Sequence, residues 1–292
     1  MRYHFVPKSQ CQRAFFRTAR PAVEIDSEDI VTFETSDDAY LRLSRGESPD
    51  EIPDEDYNVV TGPVAVNGAE PGDSLQIDII SIRIHRAWSV WIPGYGPLGH
   101  LTDSLKVRQL PVTGGRVIVS DRIQVPLSPM IGCLGVAPAT GAASTLEPAY
   151  PFGGNLDLCE LSAGASVFLP VQTSGGWLAL GDLHAAMGAG EPAHISLEAA
   201  GEAIVRVSVI KNCSLAGPVI RFSNRTSYVT VLNEEGTLEQ AVQVATERAY
   251  EALLTDFRMT PDEAYAWLSA RVSLRFGGPA SPIVIAEIPH PH

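Results

Sequence analysis

The sequence predicts a mainly β fold, a β-rich α+β protein, and three observations predict it. Glycine and proline supply 25 and 22 of the 292 residues, a density of turn formers that favours many short strands over a helix bundle. Apolar and polar residues alternate at period two in several runs, which turns one face of a strand to a core and the other to water. Helical periodicity with recognisable caps is confined to a stretch near the C-terminus.

The alternating runs share an entrance, a tight turn of small or acidic residues. It recurs before Ile30-Val31-Thr32-Phe33, before Leu75-Gln76-Ile77-Asp78-Ile79, before Val167-Phe168-Leu169 and before Ile204-Val205-Arg206-Val207. The recurrence is equally compatible with duplicated β halves and with independent use of a common turn. Alternation slips at Ile79-Ile80, which predicts a bulge that re-aims the strand. Further strands are expected at Gly115–Val125 and Gly176–Leu180. Gly- and Pro-rich loops are expected at Trp91–Gly99, Pro126–Pro138 and Glu147–Gly154, and again after Leu180. Ser48–Asp56 is acidic and contains proline, and is expected to be a solvated surface excursion.

Two helix starts follow. Thr237 with Gln240 makes a capping box, and Leu238, Ala241, Val242, Ala245, Ala249, Ala252 and Leu253 then form one apolar stripe. Thr260-Pro261-Asp262-Glu263 places Thr at the N-cap, Pro at the first helical position and Glu at the third. The expected organisation is a β-rich core over 1–235, with β subdomains over about 1–125 and 126–235. A helical hairpin and terminal strand over 236–292 pack on that core.

Charge limits the partners. Lys plus Arg number 21 and Asp plus Glu 34, a net charge of −13. Such a chain repels phosphate backbones and anionic membrane surfaces, so neither nucleic acid nor membrane is expected as a partner. Cys11, Cys133, Cys159 and Cys213 have no zinc-knuckle spacing and are expected as reduced, mostly buried thiols. The first residues lack an apolar signal-peptide core, and cytoplasmic location is expected.

Polar chemistry concentrates in Gly153-Gly154-Asn155-Leu156-Asp157 and in Gly181-Asp182-Leu183-His184 through Glu191. Asp157, Asp182, His184 and Glu191 are a set that can hold a divalent metal with a position left for water. The bland alternatives are an Asx turn closed by Asp157, Asn155 at positive φ, and ordinary turn use of Asp and Gly. Cys133 lies among apolar neighbours, with nothing adjacent in sequence to activate its thiol.

Five motifs in order resemble the acetamidase/formamidase family: Phe33-Glu34-Thr35-Ser36-Asp37; Thr61-Gly62-Pro63-Val64 with Gly68-Ala69-Glu70-Pro71-Gly72-Asp73; Pro126 through Pro138; Gly153–Asp157; and Gly181–Ala186. The resemblance runs from about residue 20 to about residue 275. It implies a sandwich or barrel of duplicated β halves with a small helical part, assembled as a homo-oligomer. It implies metal-dependent hydrolysis of short linear amides, a small-molecule substrate, to carboxylate and ammonia. Carried over, Asp37, Asp157 and His184 are the expected metal positions, with Zn²⁺ first and Ca²⁺ as the competitor. Glu191 is the expected base, Asn155 an oxyanion donor and Asp182 a further catalytic carboxylate. Two positions depart from the family pattern: Phe152 stands where His is common, and Ala189 where an acid is. They favour the rival reading, a small-ligand-binding β protein that kept the fold without the chemistry. Phe152, with Trp88, Trp91 and Tyr95, is also expected to form an apolar wall that favours amides larger than formamide.

Overall fold

The computed structural model describes residues 1–18, 20–232 and 236–291, so the boundary expected at 235/236 falls outside the described residues. The principal strands are β1 (Asp29–Glu34), β2 (Val60–Val66), β3 (Ser74–Trp91), β4 (Met130–Gly135), β5 (Gly153–Asn155), β6 (Ser166–Pro170), β7 (Leu178–Ala186), β8 (Leu197–Ile210), β9 (Val219–Phe222), β10 (Arg225–Val231), β11 (Ser273–Phe276) and β12 (Ile283–Pro289). The helices are α1 (Asp38–Ser44), α2 (Leu238–Thr255) and α3 (Pro261–Arg271). None of them is long and apolar enough to cross a membrane.

One 16-stranded sheet dominates, with its main path in the order β5-β4-β7-β8-β3-β6-β9-β10-β12-β11. The mainly β class and the helical pair agree with the sequence reading. The barrel does not: among the described residues no sheet closes. The main path ends in the short strands β5 and β11, which do not pair with each other. The long strands β3 and β8 run antiparallel to each other from Ser74↔Ile210 to Ser89↔Leu197. Their remaining edges are shared among shorter partners, so the sheet branches instead of curling shut. The four segments with the recurrent turn lie side by side as β1-β8-β3-β6. They alternate between the first and second parts of the chain, so the two sets of strands interleave.

The slip at Ile79-Ile80 is a bulge. Ile79 pairs with Val205 and Ser81 with Ile204, which leaves Ile80 as the extra residue, and Ile80 is half exposed. Both C-terminal caps form. Thr237 Oγ1 accepts from the Gln240 amide at 3.2 Å while Gln240 Oε1 accepts from the Thr237 amide at 2.8 Å. Thr260 and Glu263 exchange the same pair of bonds. Ala241, Ala245, Ala249, Ala252 and Leu253 are buried with Val219, Tyr228, Val284 and Ile288, so small alanines bring α2 close to β9, β10 and β12. Leu238, at the start of the stripe, is exposed instead.

Three expected loops are strands. Met130–Gly135 and Gly181–Ala186 belong to β4 and β7, and Gly153–Asn155 is β5. Every residue of β4, and every residue of β7 except Ala186, is buried. Strands covered on both faces have no reason to alternate, and their glycines imitate loop composition. Helix α1, preceded by Asp37, is an addition to the helices expected near the C-terminus.

The N-terminal strand Tyr3–Val6 is held parallel to β1 by a buried acid. Asp29 accepts from the Arg2 amide at 2.6 Å and the Asp26 amide at 3.1 Å, and its Oδ2 lies 3.0 Å from His4 Nε2. Burial opposes the charge, yet these donors outweigh it and lower the carboxyl from 3.8 to about 2. A carboxyl lowered on folding stabilises fully above its unfolded value, and that contribution is lost as the pH falls through the folded one. Acid unfolding followed by circular dichroism should therefore show a loss of stability between about pH 4 and pH 2. Asp29→Asn should lack that component and be less stable at neutral pH by about 1–3 kcal/mol. Identical acid profiles for the two proteins would refute the assignment.

Candidate functional site

His184 is the hub of the site, and three strands put it there. In β7 it stands opposite Met130 of β4 on one side and Glu198 of β8 on the other. Along its second edge β7 changes partner. Gly181 pairs with Val60 of β2, whereas Leu183 pairs with Ala199 of β8. Asp182 lies at that handover with φ 54°. Gly181 is required there, because a Cβ would stand 2.2 Å from the Val59 carbonyl oxygen.

Four carboxylates surround the imidazole. His184 Nε2 lies 3.4 Å from Asp182 Oδ1, 3.6 Å from Glu198 Oε2 and 3.8 Å from Asp157 Oδ1. Asp157, His184 and Glu191 form one group of candidate ligand atoms, and Asp182, His184 and Glu198 another, each with its atoms within 4.8 Å of one another. All five residues are buried. Asp157, Asp182 and Glu191 have φ of 45°, 54° and 41°. The left-handed region costs a non-glycine residue on the order of 1–2 kcal/mol, and such strain persists where surrounding structure enforces it.

Neighbours hold these groups in place. Asn58 Nδ2 donates to Asp182 Oδ2 at 3.2 Å. Ser196 Oγ donates to Glu191 Oε1 at 2.9 Å and the Ser196 amide to Glu198 Oε1 at 2.8 Å, so one serine positions two acids. Burial, then Glu198 and Asp182, push the Tyr40 phenol well above its ordinary range. Gly132 of β4 leaves space for the cluster: a Cβ there would lie 2.5 Å from Asp182 Oδ2 and 2.7 Å from Asp157 Oδ1.

Burial and mutual repulsion set the protonation tendencies. Burial, then Glu191 and Asp182, push Asp157 well above the usual carboxylate range, with His184 opposing. Burial, then Asp182, raise Glu191. Glu198 is pushed up to about 7 by burial, then Asp182 and Glu191, against His184. Burial works against a charged His184, but Glu198, Asp182 and Asp157 overcome it and raise the imidazole. A bound divalent cation is the larger local charge and would invert this order.

The donor set fits such a cation. Asp157 Oδ1 is buried with no hydrogen-bond partner among the described residues. Four-coordinate zinc with bonds near 2.0–2.1 Å has ligand-to-ligand edges of about 3.3 Å, close to the shorter separations around His184 Nε2. An imidazole among carboxylates suits zinc better than calcium, which prefers oxygen alone.

The cluster lines a cavity of ≈ 740 Å³. Asn155 and Tyr95 line it too, and Asp50, Ile52 and Asp54 bring in the segment expected as a solvated excursion. Asp37 lies outside both candidate ligand groups. Its carboxylate accepts from Arg86 Nε and Nη2 at 2.8 Å each and from Trp88 Nε1 at 2.8 Å. Burial resists that charge, but the Arg86 and Trp88 bonds lower the carboxyl below the usual range. The expected apolar wall is corrected as well. Phe152 stacks on Tyr150 at 4.9 Å and packs with Phe15, Val60 and Cys133, outside the cavity lining. Trp88 is buried, whereas Trp91 lines a neighbouring cavity of ≈ 550 Å³. Ala189 is exposed. Neither departure from the family pattern therefore falls within the ligand groups. Cys133 donates its thiol to the Thr145 carbonyl at 3.4 Å, and burial, then Asp182 and Asp157, push its pKa well up, so the thiol stays protonated.

Sequence reasoning missed Glu198, Ser196 and Asn58. Glu198 had one faint signal, a lone acid entering the apolar run Leu197-Glu198-Ala199-Ala200. Ser196 and Asn58 had none.

The chain matches the sequence model of the Acetamidase/Formamidase family over residues 8–141 and 130–289. Among solved structures it resembles a predicted acetamidase/formamidase from the thermophile Thermoanaerobacter tengcongensis, with 29% identity, TM-score 0.89, and 98% of this chain and 95% of that chain covered. It resembles an acetamidase from Bacillus halodurans at 30% identity and TM-score 0.87, with 98% and 97% covered. An acetamidase from Yersinia enterocolitica is similar at 26% identity and TM-score 0.84, with 98% and 92% covered. No curated protein matches this chain.

The glycine at 132 provides a test of the site. Its backbone is not left-handed, so Gly132→Ala strains the space and not the chain. Zinc titration with elemental analysis should show affinity reduced by about 10–100-fold, with the far-ultraviolet spectrum retained. Wild-type zinc affinity in the variant would mean that the close approach at 132 does not shape the cluster.

Proposed function

The chain belongs to the acetamidase/formamidase family, and from that premise we propose that it hydrolyses short linear amides to a carboxylate and ammonia in a metal-dependent reaction. The observation that carries the proposal is the pair of ligand groups sharing His184 in the ≈ 740 Å³ cavity. His184, Asp182 and Glu198 would hold a divalent ion, zinc by the chemistry of the set, with Asp157 alongside. Bound there, such an ion supplies Lewis acidity toward the amide carbonyl and makes water a stronger acid.

The remaining steps belong to side chains. Amide resonance makes the carbonyl a poor electrophile and the nitrogen a poor leaving group, so the reaction needs a proton taken from water and a proton given to nitrogen. Glu191 suits both transfers. It borders the cavity and its Oε1 is fixed by Ser196, so a carboxylate is positioned beside the reacting groups. Asp182, tethered by Asn58, faces the same imidazole and keeps the hub oriented. The cavity walls remove water from around the reacting groups, which strengthens each electrostatic contact there.

The test is ammonia release from formamide, acetamide and propionamide. Activity should be lost on chelation and return with zinc. Glu191→Gln should lower kcat by 10²–10⁴-fold with a modest change in KM, the usual cost of a positioned acid–base. If the zinc-loaded wild type releases no ammonia from any of the three, the proposal fails in favour of the ligand-binding reading. Near-normal turnover in Glu191→Gln would remove Glu191 from the base role.

A further inference from the structure

Asn155 lies on the cavity wall with 8% of its surface exposed. Its Nδ2 donates to the Leu146 carbonyl at 3.2 Å. That bond fixes which way the amide points, and Oδ1 is left buried without a donor among the described residues. An unmatched buried acceptor is costly unless a ligand supplies the missing hydrogen. The rest of the lining is also rich in acceptors. Asp157, Asp182, Glu191 and Glu198 stand deep in the cavity, and no Lys or Arg lines it among the described residues. Such a wall favours a ligand that donates hydrogen bonds.

Resting on the amide-hydrolase reading, we infer that Asn155 Oδ1 accepts a hydrogen bond from the N–H of the substrate amide and so selects amides over esters. The oxyanion-donor role expected for Asn155 would use Nδ2, which gives one of its two hydrogens to the Leu146 carbonyl. As an acceptor, Asn155 does different work: it aligns the nitrogen that must receive the proton from Glu191. An ester presents an oxygen at the same point, acceptor against acceptor. A site built around a specific hydrogen bond rejects the analogue that lacks it far more strongly than an apolar pocket rejects a change of size.

The experiment compares acetamide with methyl acetate in two arms, using the zinc-loaded full chain. The first measures kcat/KM for both compounds in the wild type and in Asn155→Ala. The second measures equilibrium binding of both by NMR titration in the Glu191→Gln background, with and without the change at 155. Comparing ratios between variants cancels the size difference between the compounds. Asn155→Ala should lower the amide-to-ester ratio by at least about tenfold in both arms. An equal loss for both compounds in Asn155→Ala would overturn the inference and leave Asn155 a packing residue. So would wild-type and Glu191→Gln proteins that bind methyl acetate as tightly as acetamide, a result that needs no change at 155. Absence of ammonia release from any amide would sink the hydrolase reading alone, because the binding arm still decides whether Asn155 recognises the N–H.

Discussion

Four carboxylates gathered around one imidazole, out of water and, among the described residues, without a Lys or Arg in the cavity wall, are the constraint on which the rest of this structure turns. Each of these acids loses hydration on burial, and each repels the others. The sheet supplies what holds them there. Strands β4 and β7 are covered on both faces and fix Gly132, Asp182 and His184 to a rigid frame. Asp157 and Glu191 approach from connecting segments with left-handed backbones. Apolar burial elsewhere, at about 25 cal/mol per Å², provides the stability against which this unfavourable arrangement is set.

The protein also contains acids buried by the opposite logic. Asp37 is matched by Arg86 and Trp88, and Asp29 by the Arg2 and Asp26 amides and His4. Both have carboxyl pKa values lowered by their partners. Such groups are finished interactions, with no charge left for a ligand. In the cluster, burial and like charges raise Asp157, Glu191 and Glu198. The contrast distinguishes acids matched by donors within the fold from acids crowded against one another in the cavity wall. Proximity in a sequence motif does not make that distinction: Asp37 sits in a family-like motif, yet its carboxylate is already paired.

What was legible in the sequence was local. The Ile80 bulge follows from a period-two pattern, and both helix starts follow from capping boxes a few residues long. Asp157, Asp182, His184 and Glu191 were legible because polar residues stand out among glycines. What was hidden depends on register. Glu198 reaches His184 only because β8 pairs with β7 at that position, and Asn58 reaches Asp182 across 124 residues of sequence. Phe152 misled for a related reason: its neighbours in sequence line the cavity, but its own ring turns into the core beside Tyr150. The open sheet was equally hidden, since closure depends on which edges meet and not on how any one strand alternates.

The acidic segment 48–56 is largely exposed, with Ile52 buried, and it also forms part of the cavity mouth, where Asp50 and Asp54 stand with Glu147. At physiological salt such charges act over about 8 Å, so their field is felt near the opening. For the proposed reaction that field treats the participants differently. A neutral amide crosses it with little electrostatic penalty. The carboxylate formed by hydrolysis is an anion among fixed anions and is repelled, whereas an ammonium product is drawn toward the acids at the mouth. An acidic rim would thus leave entry of the neutral substrate unhindered and draw the cationic product toward the opening. The same acids contribute to the net charge of −13, and their field would act on the charged products of the proposed reaction and not on its uncharged substrate.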